Sequence, residues 1–226
     1  SLSAAGIAII EQSISGFKTG YAGAVTSLDE PSTIFFNPAG LSRVKGTQFT
    51  IGAHILNPTG NFIDEGSTIN NTPLLLKTTE QDRDVAETLY IPNIFASYQV
   101  NNKTTLGLGV FSPFGLGIEH KPGWIGRYHG TKNEMLTINI NPSIAYKASD
   151  CLTFGVGLTA QYEKAELGSD IDFGGIAKKN LNISGYQLDD GSVKITGDGW
   201  AYGFNVGLLY EMSPCARWGV SYRSSL

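Results

Sequence analysis

Leu136-Thr137-Ile138-Asn139-Ile140-Asn141-Pro142-Ser143-Ile144-Ala145-Tyr146 decides the fold class. Leu136, Ile138, Ile140, Ile144 and Tyr146 alternate with Thr137, Asn139, Asn141 and Ala145, a period of two that puts the apolar set on one face of a strand. The other face is small and polar but uncharged. In a soluble sheet the polar face meets water and collects Lys, Glu and Arg. A face of Thr, Asn and Ala instead suits an enclosed interior, with the apolar face turned outward to lipid.

The pattern spreads in both directions. Phe49, Ile51, Ala53 and Ile55 alternate with Thr50, Gly52, His54 and Leu56. Leu152, Phe154, Val156, Leu158 and Tyr162 alternate with Thr153, Gly155, Gly157, Thr159 and Gln161. Trp200, Tyr202, Phe204, Val206, Leu208 and Tyr210 stand against Ala201, Gly203, Asn205, Gly207, Leu209 and Glu211. Weaker versions cover Tyr90–Val100, Leu106–Val110 and Trp218–Tyr222, so about seven strands of roughly ten residues are expected, the length of a tilted membrane crossing. Aromatics stand at strand ends (Tyr90, Tyr146, Tyr162, Trp200, Tyr210), where a membrane interface lies. Together these features predict an all-β, transmembrane antiparallel β-barrel. A soluble β-sandwich that buries the apolar face is the other fold the alternation allows.

Connections alternate in length. Asn101-Asn102-Lys103, Ala148-Ser149-Asp150 and Ser213-Pro214-Cys215 read as tight turns, and the spans 57–88, 113–134 and 165–193 read as long loops at the opposite end. Short turns on one side and long loops on the other are the habit of outer-membrane barrels. The first forty-odd residues lack this alternation. They are rich in Gly, Ala, Ser and Ile, end in Phe35-Phe36-Asn37-Pro38-Ala39-Gly40, and predict a compact, mostly irregular segment.

Composition narrows function. The net charge is -4, with 16 Lys and Arg scattered along the chain, so no basic face for nucleic acid exists. Gly reaches 28, with 10 Tyr and 11 Phe, as close-packed strands and interfacial girdles require. No apolar run approaches the ~18 residues of a spanning helix. Ser1 opens without a basic signal-peptide start. His54, His120 and His129 lack metal-ligand partners at useful spacing, and no nucleophile, phosphate or redox motif is present, so neither an enzyme nor a cofactor is expected. Glu163 and Glu166 read as a solvated loop rim. Cys151 and Cys215 fall in turns at one end, as a disulfide or as two thiols; a bridge needs Cα atoms within about 7 Å.

Four stretches carry a resemblance. They are Gly20-Tyr21-Ala22-Gly23-Ala24 with Ile34-Phe35-Phe36-Asn37-Pro38-Ala39-Gly40; Ser112-Pro113-Phe114-Gly115-Leu116 with Trp124-Ile125-Gly126-Arg127-Tyr128; Asn139 to Tyr146; and Trp218-Gly219-Val220-Ser221-Tyr222-Arg223-Ser224. Taken in order, the chain resembles the FadL/TodX family of outer-membrane transporters of long-chain fatty acids and aromatic hydrocarbons. The resemblance implies a fourteen-stranded barrel with an N-terminal hatch, here residues 1–46, and about half the wall, residues 47–226, so the chain is expected to be the N-terminal part of a longer protein. It implies location in a Gram-negative outer membrane among lipid and lipopolysaccharide, and a monomer when full length. Passive uptake of a hydrophobic ligand is the implied function; a structural or adhesive barrel without transport is the alternative. Asn37, Pro38 and Ala39 match the family's hatch motif. Lateral exit is implied at a kinked third strand. Here Pro113, without an N–H, must interrupt the ladder, and Gly107 and Gly109 weaken it. Candidate ligand contacts are Phe35, Phe36, Phe114, Trp124 and Tyr128, with Arg127 either meeting a carboxylate or anchoring its loop by a salt bridge.

Overall fold

The computed structural model describes residues 7–17, 20–27, 29–59, 62–69, 72–73, 88–182, 185, 187–213 and 216–226. An N-terminal segment holds a short strand β1 (Ile7–Ala8), the helical turns α1 (Ile14–Phe17), α2 (Ala24–Ser27) and α3 (Thr33–Phe36), and a 3-10 turn over Pro38–Arg43. Then come β2 (Thr47–Leu56), the short antiparallel pair β3 (Thr68–Ile69) and β4 (Thr72–Pro73), β5 (Leu89–Gln99), β6 (Thr104–Phe111) and β7 (Phe114–Glu119). The chain continues through β8 (Lys132–Lys147), β9 (Leu152–Asp172), α4 (Phe173–Leu181), β10 (Asp190–Ser213) and β11 (Ala216–Arg223). The N-terminal segment is thus more helical than its composition suggested. Single turns are too short for a 3.6-residue period to show in sequence.

One antiparallel sheet forms the wall, in the order β11-β10-β9-β8-β6-β5-β2, with β7 added to β8 and β1 added to β7. Its burial is inverted relative to a soluble protein. Leu158 is 63% exposed and Ile51 64%, while Asn141 and Asn93 are almost fully covered. The sheet curls around the N-terminal segment, whose 3-10 turn touches β6, β8, β9 and β10. The apolar face therefore points outward, and the sandwich alternative fails.

The ladder registers place outward residues in rows. Ile138, Tyr162 and Trp200 share a row, with Tyr162 and Trp200 rings 5.4 Å apart. Near the other end Leu152, Tyr210 and Trp218 align. At ~3.3 Å per residue and ~40° tilt, the Trp200–Tyr210 stretch spans about 25 Å, the height of a barrel's apolar band. Beyond Trp200 the outward rows turn charged: Lys164 faces Asp198, Glu134 faces Glu166, and Glu119 faces Lys132. Lys132 Nζ lies 3.2 Å from Glu134, 3.3 Å from Glu166 and 3.4 Å from Glu119.

Two loop expectations need correction. The span 165–193 holds regular structure where a loop was expected: β9 runs on to Asp172, α4 caps the tip and β10 already begins at Asp190, so the two strands form a ribbon of 21 and 24 residues. Glu163 and Glu166 therefore belong to β9 and not to a loop. Likewise 113–134 contains β7. Above the lipid band nothing selects apolar outward residues, so the alternation fades while backbone pairing continues. The tight turns are as expected at 101–103, where Asn101 Oδ1 accepts from Lys103 N and Thr104 N at 2.8 and 2.9 Å. Cys215, and with it any pairing to Cys151, lies outside the described residues, as do most of 57–88.

Inward glycines seat the N-terminal segment. A Cβ at Gly155 would strike the backbone of Pro38 and Ala39, and one at Gly207 would strike the Asn37 side chain. Gly155→Val is expected to expel the N-terminal segment while the wall still forms. Protease cleavage within residues 29–45 should then speed up, with heat-modifiable barrel migration on gels unchanged; equal protease resistance would show that the segment is held elsewhere.

Candidate functional site

Asn37 is the N-cap of the 3-10 turn, and its buried side chain is fully used. Its Oδ1 accepts from Ala39 N at 3.0 Å, while Nδ2 donates to Val25 O at 2.9 Å and to Leu208 O in β10 at 3.1 Å. Pro38 takes the first turn position, where its missing N–H is harmless. Ala39, fully buried, is as small as the contact with Gly155 demands. Asn37, Pro38 and Ala39 thus tie the segment to the wall at one point. Beside them Asn205 Nδ2 donates to Ile34 O at 3.3 Å, and Arg43 pairs with Asp29 at 2.5 Å and with Glu211.

The wall is interrupted on the strand side facing Ile9. The β6 and β7 strands both pair with β8, at Phe111↔Asn139 and Gly115↔Leu136, with Ser112 and Pro113 between them. Upstream of Asn93, residues Leu89–Pro92 of β5 pair with β2 on one side and have no ladder to β7 on the other. Pro92, which brings no N–H to a ladder, lies in this one-sided stretch. The opening forms an apolar pocket of about 230 Å³ lined by Leu89, Ile91, Val110, Phe111, Gly115 and Met135, among others.

The N-terminal segment covers the inner edge of this break. Its β1 strand pairs with β7 through Ile7↔Gly115 and Ala8↔Phe114, and Ile9 N donates to Pro113 O at 2.9 Å. Gln12 Nε2 donates to Ser112 O at 2.8 Å. The Ser112 and Pro113 carbonyls at the break thus accept hydrogen bonds from the N-terminal segment. Gly107 and Gly109, expected at the kink, lie instead in the unbroken part of β6. Their role is space: a Cβ at Gly107 would stand 2.7 Å from Ile34 and Leu41, and one at Gly109 would stand 3.0 Å from Phe95 and Phe111. A second proline, Pro142 in β8, leaves the carbonyl of Leu158 to the Asn141 side chain at 2.6 Å.

The aromatic candidates form two separate groups. Phe35 meets Phe36 edge-on at 4.9 Å and Phe111 at 5.2 Å, inside the lumen. Trp124 packs in the outer loop against His120 at 3.5 Å and Phe62 at 5.2 Å, and its Nε1 donates to Gly130 O at 3.0 Å. Phe114 opens β7 and exchanges hydrogen bonds with Thr137 Oγ1. Arg127 is fully buried, with Nε 2.9 Å from Asp190 Oδ2 and its charge over the Tyr128 ring. Tyr128 donates to Asp190 at 2.6 Å; burial first, and then this bond, raise its pKa well above the ordinary phenol value. Arg127 and Tyr128 thus fasten the loop to β10, the anchoring role weighed for Arg127 in the sequence. Sequence reasoning did not single out Gln12, Asn93, Asp190 or Arg223 as site residues. An inward polar residue next to a break is recognisable only once the partner strands are known. Among the described residues no group of three or more His, Cys, Asp or Glu forms a metal-ligand set.

Residues 1–226 match the family described as outer membrane protein transport protein (OMPP1/FadL/TodX). The chain is 28% identical over 235 residues to a long-chain fatty acid transport protein of Escherichia coli O6:H1, covering 98% of this chain and 50% of that protein. It is 29% identical to outer membrane protein P1 of a Haemophilus influenzae strain, covering 99% and 54%. Its fold is similar to that of a Pseudomonas aeruginosa FadL homologue (TM-score 0.75, 20% identity, 97% of this chain and 53% of that one). It is also similar to the Pseudomonas putida toluene transporter TodX (TM-score 0.54, 16% identity, 86% and 51%). The chain spans about half the length of the curated relatives it matches.

Two substitutions test the anchors. Asn37→Ala removes the side chain that serves the Val25 and Leu208 carbonyls and the Ala39 amide, and is expected to cost about 3 kcal/mol of attachment of the segment, at roughly 1 kcal/mol for each of the three groups, the low end that partial burial implies. Hydrogen exchange at Ala39 N measures this, and unchanged protection would remove Asn37 from the anchor. Asp190→Asn strips the charge facing buried Arg127 and should destabilise the 120–131 loop by about 3 kcal/mol. Limited proteolysis of that loop reports it.

Proposed function

The chain belongs to the OMPP1/FadL/TodX family of outer membrane transport proteins, and from that membership we propose that it contributes to passive outer-membrane uptake of hydrophobic small molecules, long-chain fatty acids foremost. The observation that carries the reading is the break between β6 and β7, beside which lies an apolar pocket of about 230 Å³ in the wall. A solute that partitions into lipid needs no aqueous channel through the membrane. It needs a way from the lumen into the bilayer, and a gap in a β-wall is tolerable in hydrocarbon only where other backbone supplies the missing bonds. Residues 1–46 act as the hatch: β1 and Gln12 close the break from inside, and Asn37, Pro38 and Ala39 hold the hatch to β8–β10. Withdrawal of β1 then opens the route. No energy source is required beyond the ligand's preference for the membrane interior.

Phe35 and Phe36 form the greasy lumenal surface next to this exit, and the Trp124 cluster forms an apolar landing place in the outer loop. Outward rows beyond Trp200, rich in Lys and Glu, meet the lipid head groups and lipopolysaccharide of a Gram-negative outer membrane. The full-length protein functions as a monomer, with the rest of the wall closing the barrel. Aromatic hydrocarbons are the second ligand class, favoured by the likeness to the toluene transporter and by the small volume of the pocket.

Gly115 offers a direct test. A Cβ there meets nothing nearer than Ile9 at 3.8 Å and Leu89 at 3.9 Å, so the position has room for a Cβ beside the opening. Gly115→Phe is expected to cut uptake of radiolabelled oleate into cells by about tenfold, roughly the effect of 1.4 kcal/mol on a barrier, with Gly115→Ala near wild type. Unimpaired uptake by a correctly inserted Gly115→Phe protein would mean that ligand does not leave through the break.

A further inference from the structure

Two hollows in the wall share one residue. The apolar pocket at the break, about 230 Å³, takes Met135 and Thr137 of β8 into its lining. A second hollow of about 280 Å³ lies against β8, β9 and β10, where Met135, Glu163, Ala165, Gly197, Gly199 and Ala201 line it among others. These six alternate along their strands with Leu136, Tyr162, Lys164, Asp198 and Trp200, which face outward. The second hollow is therefore on the inner face, at the height of the Trp200 row. Among the described residues Met135 is the one common to both linings.

The registers make the two hollows the ends of one track. Met135 faces Ala165, which faces Gly197, and the next row is Thr137, Glu163 and Gly199. Both rows run along the inner wall from the break to the second hollow. Their floor is low, because a Cβ at Gly197 or Gly199 would meet nothing within 4 Å. Glu163 is the one charged side chain on these rows, and it accepts from Gln161 Nε2 at 2.6 Å. No large apolar side chain other than Met135 stands on them. Met135 is half-buried, and the only other methionine of the chain, Met212, lies near the end of β10. A thioether side chain is unbranched, has three rotatable bonds and adapts to irregular space, so it can clear a passage by changing rotamer. A β-branched residue of similar bulk is held at χ1 and cannot.

We propose that Met135 is the side-chain gate between the hollow at Gly197 and Gly199 and the pocket at the break, and that it admits unbranched alkyl chains in preference to bulky tails. The inference rests on the transport reading and adds to it the residue that decides which chain shapes reach the break. A linear chain slides along the glycine floor and passes when the thioether swings aside. A fused-ring tail needs more width than one rotamer change frees. The movement stays within one side chain of β8, so the contacts of Asn37, Pro38 and Ala39 remain made.

The test measures uptake of radiolabelled oleate and of a fatty acid with a pyrene at its tail, in cells producing the full-length protein. Met135→Ile keeps the bulk and stiffens χ1, and is expected to cut oleate uptake by about tenfold, as one strained torsion added to the passage barrier would. Met135→Leu, similar in volume and unbranched at Cβ, should stay within about threefold of wild type. Met135→Ala empties the gate and is expected to raise uptake of the pyrene-tailed acid severalfold relative to oleate. Heat-modifiable migration on gels should be the same for all three, since the wall is intact in each. If Met135→Ile takes up oleate like wild type, if Met135→Leu falls as far as Met135→Ile, or if Met135→Ala leaves the ratio of the two ligands unchanged, Met135 does not govern passage and the proposal is overturned. Wild-type protein that supports uptake of neither ligand would refute the transport reading itself, a result distinct from an unaffected variant.

Discussion

Hydrocarbon accepts apolar side chains and nothing else, and every other feature of this wall follows from that constraint. Once Leu158, Ile140 and Phe204 face outward, Asn141, Thr159 and Asn205 have no place but inside. There they must find partners, since a buried amide without one costs about 1–3 kcal/mol. They find them in each other: Asn141 Nδ2 lies 2.9 Å from Asn205 Oδ1 and 3.1 Å from Thr159 Oγ1, and Asn205 reaches Ile34 O. The N-terminal segment is therefore part of the solvation of the wall. Inward glycines at 155 and 207 let its backbone approach close enough to serve.

The same rule makes the break at Ser112–Pro113 informative. A strand interrupted in lipid frees backbone groups that water cannot satisfy. In this fold Ile9 N and Gln12 Nε2 take the Pro113 and Ser112 carbonyls, and β1 runs beside β7 where β5 does not. One element is both patch and plug. In the proposed transport route, withdrawing it would unpair the groups it satisfies, so the sealed arrangement is the lower in energy.

Loop anchoring uses a different device. Arg127 is fully buried above the lipid band, where Asp190, Tyr128 and the carbonyl of Trp124 surround it. The pair ties the 120–131 loop to the start of β10, and so sets the outer end of the long β9–β10 ribbon.

Alternation in the sequence was enough to place seven wall strands, to turn their apolar faces outward and to mark Asn37-Pro38-Ala39 as a tight turn. These are local properties: a period of two, a proline without an N–H, a capping side chain. The extensions of β9 to Asp172 and of β10 back to Asp190 were not legible, because beyond the lipid band Lys164, Glu166 and Asp198 erase the apolar signal while the hydrogen bonds persist. The purpose of Gly107 and Gly109 was not legible either, since a missing Cβ says nothing about which side chain fills its space. Pro113 announced a defect, but its sealing by Ile9 and Gln12 joins residues about a hundred positions apart. The approach of Arg223 to Phe35 and Phe111 likewise arises only when the sheet curls. Sequence by itself determined which face of each strand meets lipid; the tertiary structure alone decided which inward groups meet each other, because closure of the wall is a long-range event that no local period encodes.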